Sequence, residues 1–375
     1  MLENTENISN SGSSGGILDA VLESEQAHAL AEFNPHALVS DILNNLRDRE
    51  RQIVTLRYGL AENKPHTLES IGNRLDLTRE RVRQIEKESL RQLKNQEVLS
   101  GVNRSMDIIK KTVQDHGSIF GENALIDHLL ISSKTERQIN SLLFLLELSE
   151  YFNLLEETER YHRAWYTPDF ELPRLHTFHD SLENILENHG VPLQFDDLKE
   201  KFKQHSIYLE MQSYFNDRVI ENLIRVSKTV KANPFGEFGL KSWRVVHPRD
   251  VGDKAYLVLA HEKKPLHYTK ITELINQQGF DDRTAYKETV HNELIMDERF
   301  ILVGRGIYAL SDWGYKKGVV ADIIKEILSA GEPMERNAIV EEVLKQRLVR
   351  RNTILVGLAD KKLFKKIGKS RYTLP

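Results

Sequence analysis

Apolar positions recur at helical spacing along most of the chain, in short runs with clear punctuation. Leu38, Ile42 and Leu46, then Ile53 and Leu56, give two helices an apolar face. Asn34-Pro35 opens the first, and Tyr58-Gly59-Leu60 closes the second with Gly at a C-cap position. A loop from Ala61 to His66 contains Pro65. Thr67 then caps a third helix and Thr78 a fourth, in which Val82, Ile85, Leu90 and Leu93 face inward. Arg79, Glu80, Arg83, Gln84 and Lys87 fall on the opposite side. Gly72 lies mid-helix, where Gly costs about 1 kcal/mol against Ala, so the second helix of the pair is expected to approach closely there. Asp76 falls where a turn between helices often takes a left-handed residue.

Beyond residue 100 the pattern repeats loosely four times: a helix, a Gly or Pro break, two more helices, then a short hairpin carrying an aromatic. The breaks are His116-Gly117-Ser118-Ile119, His189-Gly190-Val191-Pro192-Leu193, Lys264-Pro265-Leu266 and Gly331-Glu332-Pro333-Met334. The hairpins end in Arg163–Pro168, Lys241–Val245 (with Trp243), Arg305–Leu310 and Ser370–Leu374. Three helices and a two-stranded hairpin make the winged-helix plan. The fold class expected is mainly α: a helix-turn-helix domain over 34–98, then tandem winged-helix domains with small β-hairpin wings over 103–170, 175–248, 250–314 and 317–375. Residues 1–16, rich in Asn, Ser and Gly, are too polar to bury a core. Residues 17–33 read as a solvated lead-in more than as a docking helix.

Composition changes this picture only when it is resolved along the chain. The net charge of the 375 residues is −4. Residues 1–46 hold no Lys or Arg and are net −7, residues 47–94 are net +4, residues 95–315 net −8, and residues 316–375 net +7. Two basic modules therefore flank an acidic middle. The chain has no Cys, which excludes disulfides and thiolate metal sites and fits a reducing cytosol. No apolar run is long enough to span a membrane and the N-terminus lacks a signal-peptide pattern, so a cytoplasmic protein without membrane partners is expected. No phosphate-cradling Gly loop, paired metal-ligand motif or nucleophile–base pair is present, so neither an enzyme nor a cofactor or small-molecule substrate is expected.

Arg, Glu and Gln on one helix face are the side chains that hydrogen-bond base edges in the major groove. A bare charged helix face is usually only solvated. Here the capped helix before it, the fixed turn and the small residue at the crossing favour nucleic-acid reading. Leu46-Arg47-Asp48-Arg49-Glu50-Arg51-Gln52-Ile53-Val54-Thr55-Leu56-Arg57-Tyr58-Gly59-Leu60, Thr67–Gly72 and Thr78–Glu86 with Leu90–Leu93 resemble region 4 of the sigma-70 family, which reads the −35 promoter element. The resemblance covers about residues 36–96. It implies base reading by Arg79, Glu80, Arg83 and Gln84, and phosphate contacts from Arg49, Arg57, Thr67 and Lys87. It further implies double-stranded DNA and bacterial RNA polymerase, through the flap of its β subunit, as partners. Lys87-Glu88-Ser89 departs from the basic run the family often carries, and the strand-opening region 2 has no counterpart upstream of residue 36.

Residues 250–314 resemble the HARE-HTH winged helix, through Pro265–Ile271 and Asp297–Leu310, with Phe300 and Tyr308 expected to pack on the helices. This implies DNA or polymerase association without naming base-reading residues. For the first three winged-helix domains, a protein-binding scaffold and a DNA-binding role are equally open. The fourth is basic. Arg347, Arg350, Arg351, Lys361, Lys362, Lys365, Lys366, Lys369 and Arg371 cluster on its third helix and wing, which suits phosphates and makes a possible second DNA surface. The leading expectation is a DNA-binding, sigma-like transcription factor. A polymerase-bound adaptor and a DNA-targeting module of a restriction or defence system are the alternatives.

Overall fold

The computed structural model describes residues 32–61, 64–95, 102–329 and 331–375. The expectations for 1–31 lie outside these residues. Described residues up to 182, together with 199–229, form one compact unit, and residues 183–198 with 230–375 form another. Among the described residues no helix is long and apolar enough to cross a membrane.

The first unit opens with four helices: α1 (Pro35–Leu43), α2 (Asp48–Arg57), α3 (Leu68–Leu75) and α4 (Arg79–Leu93). Their boundaries follow the local signals. The Asn34 side chain accepts from the Ala37 N–H at 3.1 Å and Pro35 occupies the first helical position. Gly59 ends α2 with φ +64°. These helices carry two apolar faces. Ile53, Leu56, Ile71 and Val82 form the small core of the domain itself. Val39, Ile42, Leu43, Leu46, Val54, Leu60 and Leu93 belong to a second, larger core completed by the chain that follows.

That chain is α5 (Asn103–Asp115), β1 (Ile119–Gly121), α6 (Glu122–Leu129), α7 (Glu136–Leu148), β2 (Asn153–Leu155) and β3 (Ala164–Tyr166). Helix α7 lies against α1, and Leu142, Phe144 and Leu145 fill the shared core. Polar clasps fix the register between them. Asn140 Nδ2 donates to the Gly59 carbonyl at 3.0 Å, the His36 N–H donates to Gln138 Oε1 at 3.1 Å, and the Tyr58 and Phe144 rings meet at a tilt, their centroids 4.7 Å apart. The helix-turn-helix domain and the first repeat thus share one continuous core.

The order helix, strand, helix, helix, strand, strand recurs. The second repeat contains α8 (Leu172–His189), β4 (Leu193–Gln194), α9 (Phe195–Phe202), a short α10 (Ser206–Glu210), α11 (Asp217–Val226), β5 (Val230–Ala232) and β6 (Glu237–Leu240). The third runs α12 (Val251–Glu262), β7 (Leu266–His267), α13 (Tyr268–Gln278), α14 (Lys287–Met296), β8 (Phe300–Gly304) and β9 (Ile307–Leu310). The fourth runs α15 (Val320–Leu328), β10 (Met334–Glu335), α16 (Arg336–Gln346), α17 (Arg351–Leu358), β11 (Lys365–Ile367) and β12 (Arg371–Thr373).

Each sheet has three antiparallel strands with the last strand of the repeat in the middle, in the orders β1-β3-β2, β4-β6-β5, β7-β9-β8 and β10-β12-β11. The middle strand carries an aromatic: Trp165 faces both Phe120 and Leu154, and Tyr308 faces both Leu266 and Leu302. Phe300 and Tyr308 are buried in the third core, as expected.

Two features differ from expectation. The Gly and Pro breaks each lead into a short strand rather than directly into a helix. The second hairpin closes earlier than Lys241–Val245: the strands are β5 and β6, and Trp243 sits in a turn, its N–H bonded to the Leu240 carbonyl at 2.9 Å. Gly239 allows this, because a Cβ there would stand 2.6 Å from Val246 Cγ2 and 3.0 Å from Trp243 Cε3.

Candidate nucleic-acid interface

Backbone geometry at the α3–α4 turn sets the direction of α4. Thr67 caps α3 through its Oγ1, which accepts from the Ser70 N–H at 3.2 Å, and Thr78 caps α4 by accepting from the Arg81 N–H at 3.2 Å. Asp76 occupies the left-handed region with φ 54° and ψ 47°. The Leu77 N–H returns to the Gly72 carbonyl at 2.9 Å. A Cβ on Gly72 would stand 2.6 Å from the Leu77 carbonyl oxygen. The close neighbours of Gly72 are therefore the turn between the helices and, at 3.5 Å from that Cβ, the Arg79 N that begins the second helix.

Val82 and Leu93 are fully buried, and Ile85 and Leu90 pack partly against the two cores. This places Arg79, Glu80, Arg83, Gln84 and Lys87 on the exposed side of α4, together as expected. Most of them are linked to one another. Arg83 grips Glu80 with two bonds, Nε to Oε2 at 2.9 Å and Nη2 to Oε1 at 2.6 Å. Gln84 Nε2 reaches Glu80 Oε1 at 3.5 Å, and Arg81 Nη1 reaches Gln84 Oε1 at 3.4 Å. The Arg83 hydrogen bonds hold the Glu80 carboxyl below the usual carboxylate range, and Glu80 in turn raises Arg83. The face is thus an array of donors and acceptors at fixed spacing, with both charges present at any physiological pH. Arg81 joins this array although sequence reasoning passed over it. Its spacing of three from Gln84 was the available signal.

The residues assigned to phosphates are anchored differently. Arg49 Nη2 donates to the Leu75 carbonyl at 3.0 Å, next to the turn. Arg57 is tied into the domain: its Nε donates to Glu86 Oε1 at 3.0 Å and its Nη1 to the His66 carbonyl at 3.2 Å. Glu86 is mostly buried, so this pair clamps α2 to α4. Thr67 is exposed at the start of α3, and Lys87 is exposed one turn beyond Arg83.

In the last repeat Arg350 precedes α17 and Arg351 begins it, Lys361 and Lys362 lie in the connection, and Lys365 and Lys366 are on β11. All six are exposed. Arg347 is the exception to the expected cluster. It is buried, and its guanidinium donates to the carbonyls of Leu302 and Gly318, with burial lowering its pKa. It fastens the fourth repeat to β8 and is not part of a surface.

Residues 42–95 match the family described as Sigma-70, region 4. A stretch of 60 residues is 43% identical to the RNA polymerase sigma factor RpoD of Neisseria gonorrhoeae, covering 16% of this chain and 9% of that protein. The chain therefore spans less than a tenth of the length of the curated relative it matches. Residues 42–95 are a sigma-factor-like, DNA-binding helix-turn-helix, a kind of domain that is not itself an enzyme.

Proposed function

We propose that this chain is a DNA-binding transcription factor that reads a −35-like promoter element through α4 and associates with bacterial RNA polymerase, the β-subunit flap included. Arg79, Glu80, Arg83 and Gln84 read base edges. Arg49, Arg57, Thr67 and Lys87 hold the phosphate backbone on either side. The observation that carries the reading is the preset array on the exposed face of a doubly capped, sigma-like helix-turn-helix. Arg and Gln offer paired donors or acceptors to G and A, and a carboxylate accepts from the amino group of C. The reading covers recognition and not strand opening, which region 2 supplies in sigma factors.

The four later repeats act as winged-helix modules. Their helix–strand–helix–helix–strand–strand order supports this, and the buried Phe300 and Tyr308 support a HARE-HTH-like third module. Selection of bound sequences from a random duplex pool, with and without Arg83→Ala, tests the base-reading role. The expected result is one enriched motif, with a loss of roughly 5- to 150-fold in affinity for it in the variant. An identical motif and affinity in both proteins would overturn it.

One observation favours a second reading, a polymerase-bound adaptor indifferent to DNA sequence. Glu80 already satisfies Arg83 and Gln84 within the chain, as a merely solvated helix face does. Co-purification of RNA polymerase that survives Arg79→Ala with Arg83→Ala, and no enriched motif, is the outcome that selects this reading.

A further inference from the structure

The four repeats share an order of elements but use their third helix in different ways. In the first, α7 buries six residues and covers α1. In the second, α11 buries six and packs on β1, where Asn222 Nδ2 donates to the carbonyls of His116 at 2.8 Å and Ile119 at 2.6 Å. These two helices are occupied within the protein. The third and fourth are open: α14 buries only Val290 and Leu294, and α17 only Ile354 and Leu358. The exposed side of α14 mixes Lys287, Glu288, Asn292, Ile295 and Met296, which favours no polyanion. The exposed side of α17 presents Arg351, Asn352 and Thr353 directly after Arg350.

Charge separates the last repeat further. Residues 347–375 contain nine basic residues and a single acid, Asp360. Only Arg347 of the nine is buried. The two wing strands pair Lys366 with Tyr372 and Ile367 with Arg371, and Gly368 turns the tip with φ +63° beside Lys369. Among the described residues none of the exposed cations forms an ion pair, and Asp360 turns its carboxylate to the Lys362 N–H at 2.9 Å. Like charges held this close repel one another, and the relief available is a partner of opposite charge.

The repeat is also held as a firm platform. Besides the Arg347 bonds to the Leu302 and Gly318 carbonyls, the Leu348 N–H donates to the Val303 carbonyl at 2.9 Å, and a Cβ on Gly304 would stand 2.5 Å from the Leu348 carbonyl oxygen. The outer edge of the third repeat's hairpin is therefore covered by the segment leading into α17, while the hairpin of the fourth stays open.

We propose that α17 and the β11–β12 hairpin form a second DNA-binding surface, which grips the phosphates of duplex DNA without regard to sequence and independently of α4. A helix followed by a hairpin suits a duplex, with the helix at a groove and the strands along the backbone. Lysine is a flexible point charge that suits phosphates and carries no base code. Single strands need aromatic platforms, and Tyr372, the aromatic of this hairpin, packs against the repeat's own core. A membrane surface needs a helix with a broad free apolar face, whereas in α17 Ile354 and Leu358 are buried and Val356 is the one apolar side chain exposed beside Arg351, Asn352 and Thr353.

The test uses the full chain and a random-sequence duplex of about 30 base pairs, titrated at salt between about 50 and 200 mM. Replacing Lys361, Lys362, Lys365 and Lys366 by Ala is expected to flatten the slope of log K against log salt by about 3 to 4, since each phosphate contact contributes about 0.9. Lys365→Gln with Lys366→Gln, both on the exposed strand, should flatten it by about half as much with an unchanged circular dichroism spectrum. Unaltered slopes in both variants overturn the proposal. So does loss confined to single-stranded RNA or to anionic lipid vesicles. Arg83→Ala should weaken binding to the selected motif far more than binding to random duplex, and the lysine variants should do the reverse, so a failed motif selection counts against base reading by α4 and leaves this surface standing.

Discussion

Helix α4 and the β11–β12 hairpin both present cations, and they present them in opposite ways. On α4 each acid holds an arginine: Glu80 holds Arg83, Glu86 holds Arg57, and Glu88 holds Arg91 at 2.6 Å. On the hairpin and its approach there is no such partner among the described residues. The first arrangement fixes where donors and acceptors stand, which discrimination between bases requires. The second leaves long side chains free and unneutralised, which provides attraction without discrimination. Net charge alone does not separate the two surfaces; the local pairing of their charges does.

Four changes test that contrast, beginning with the largest expected effect. Phe144→Ala removes a buried ring from the core under α1 and should cost about 3–5 kcal/mol in chemical denaturation. Binding to the selected motif should fall with it, while random-duplex binding persists. Loss of both together would mean that the two surfaces are one.

Acidification comes next. His179 is buried, its Nε2 paired with the Leu223 carbonyl at 2.8 Å, and burial pushes its pKa down to about 4 from a usual value of 6.5. Burial also lowers His116 and His128. The unfolded chain takes up these protons first. For His179 the stabilisation is therefore complete above about 6.5 and is lost as pH falls toward about 4, at up to ~1.4 kcal/mol per unit. Residues 347–375 contain no His. Melting curves between these pH values should show early loss of the α4 side. A flat profile would remove His179 as a buried neutral group.

Gly72→Ala drives a methyl into the Leu77 carbonyl and should cost about 1–3 kcal/mol through overpacking. Because it shifts the turn that aims α4, affinity for the selected motif should fall more than random-duplex binding. Equal loss of the two would remove the turn as the aiming element. Thr78→Ala removes the cap of α4 and should cost about 1 kcal/mol by thermal denaturation. A smaller effect than on Thr67→Ala would show that α4 is held mainly by its core contacts.

Much of the first domain was legible because its signals are local. Asn34, Thr67 and Thr78 cap as expected, Gly59 and Asp76 take left-handed conformations, and the outer face of α4 follows from spacing. The hidden features depend on partners far along the chain. Strands β1, β4, β7 and β10 are two or three residues long and exist through pairing with β3, β6, β9 and β12. Arg347 looked like one cation among nine, and only the carbonyls of Leu302 and Gly318 reveal its burial. Leu38, Ile42 and Leu46 gave the first two helices an apolar face. That this side of the domain needs α7 was invisible, because periodicity reports that a face is buried and not by what.

The shared core also sets a schedule for synthesis. The α1 side of the helix-turn-helix domain is covered by Leu142, Phe144 and Leu145, and Trp165 completes the same cluster. A ribosome adding about 5–20 residues per second needs several seconds to pass from the end of α4 to that tryptophan. Through that interval the nascent helix-turn-helix domain exposes an uncovered apolar side to whatever meets the emerging chain.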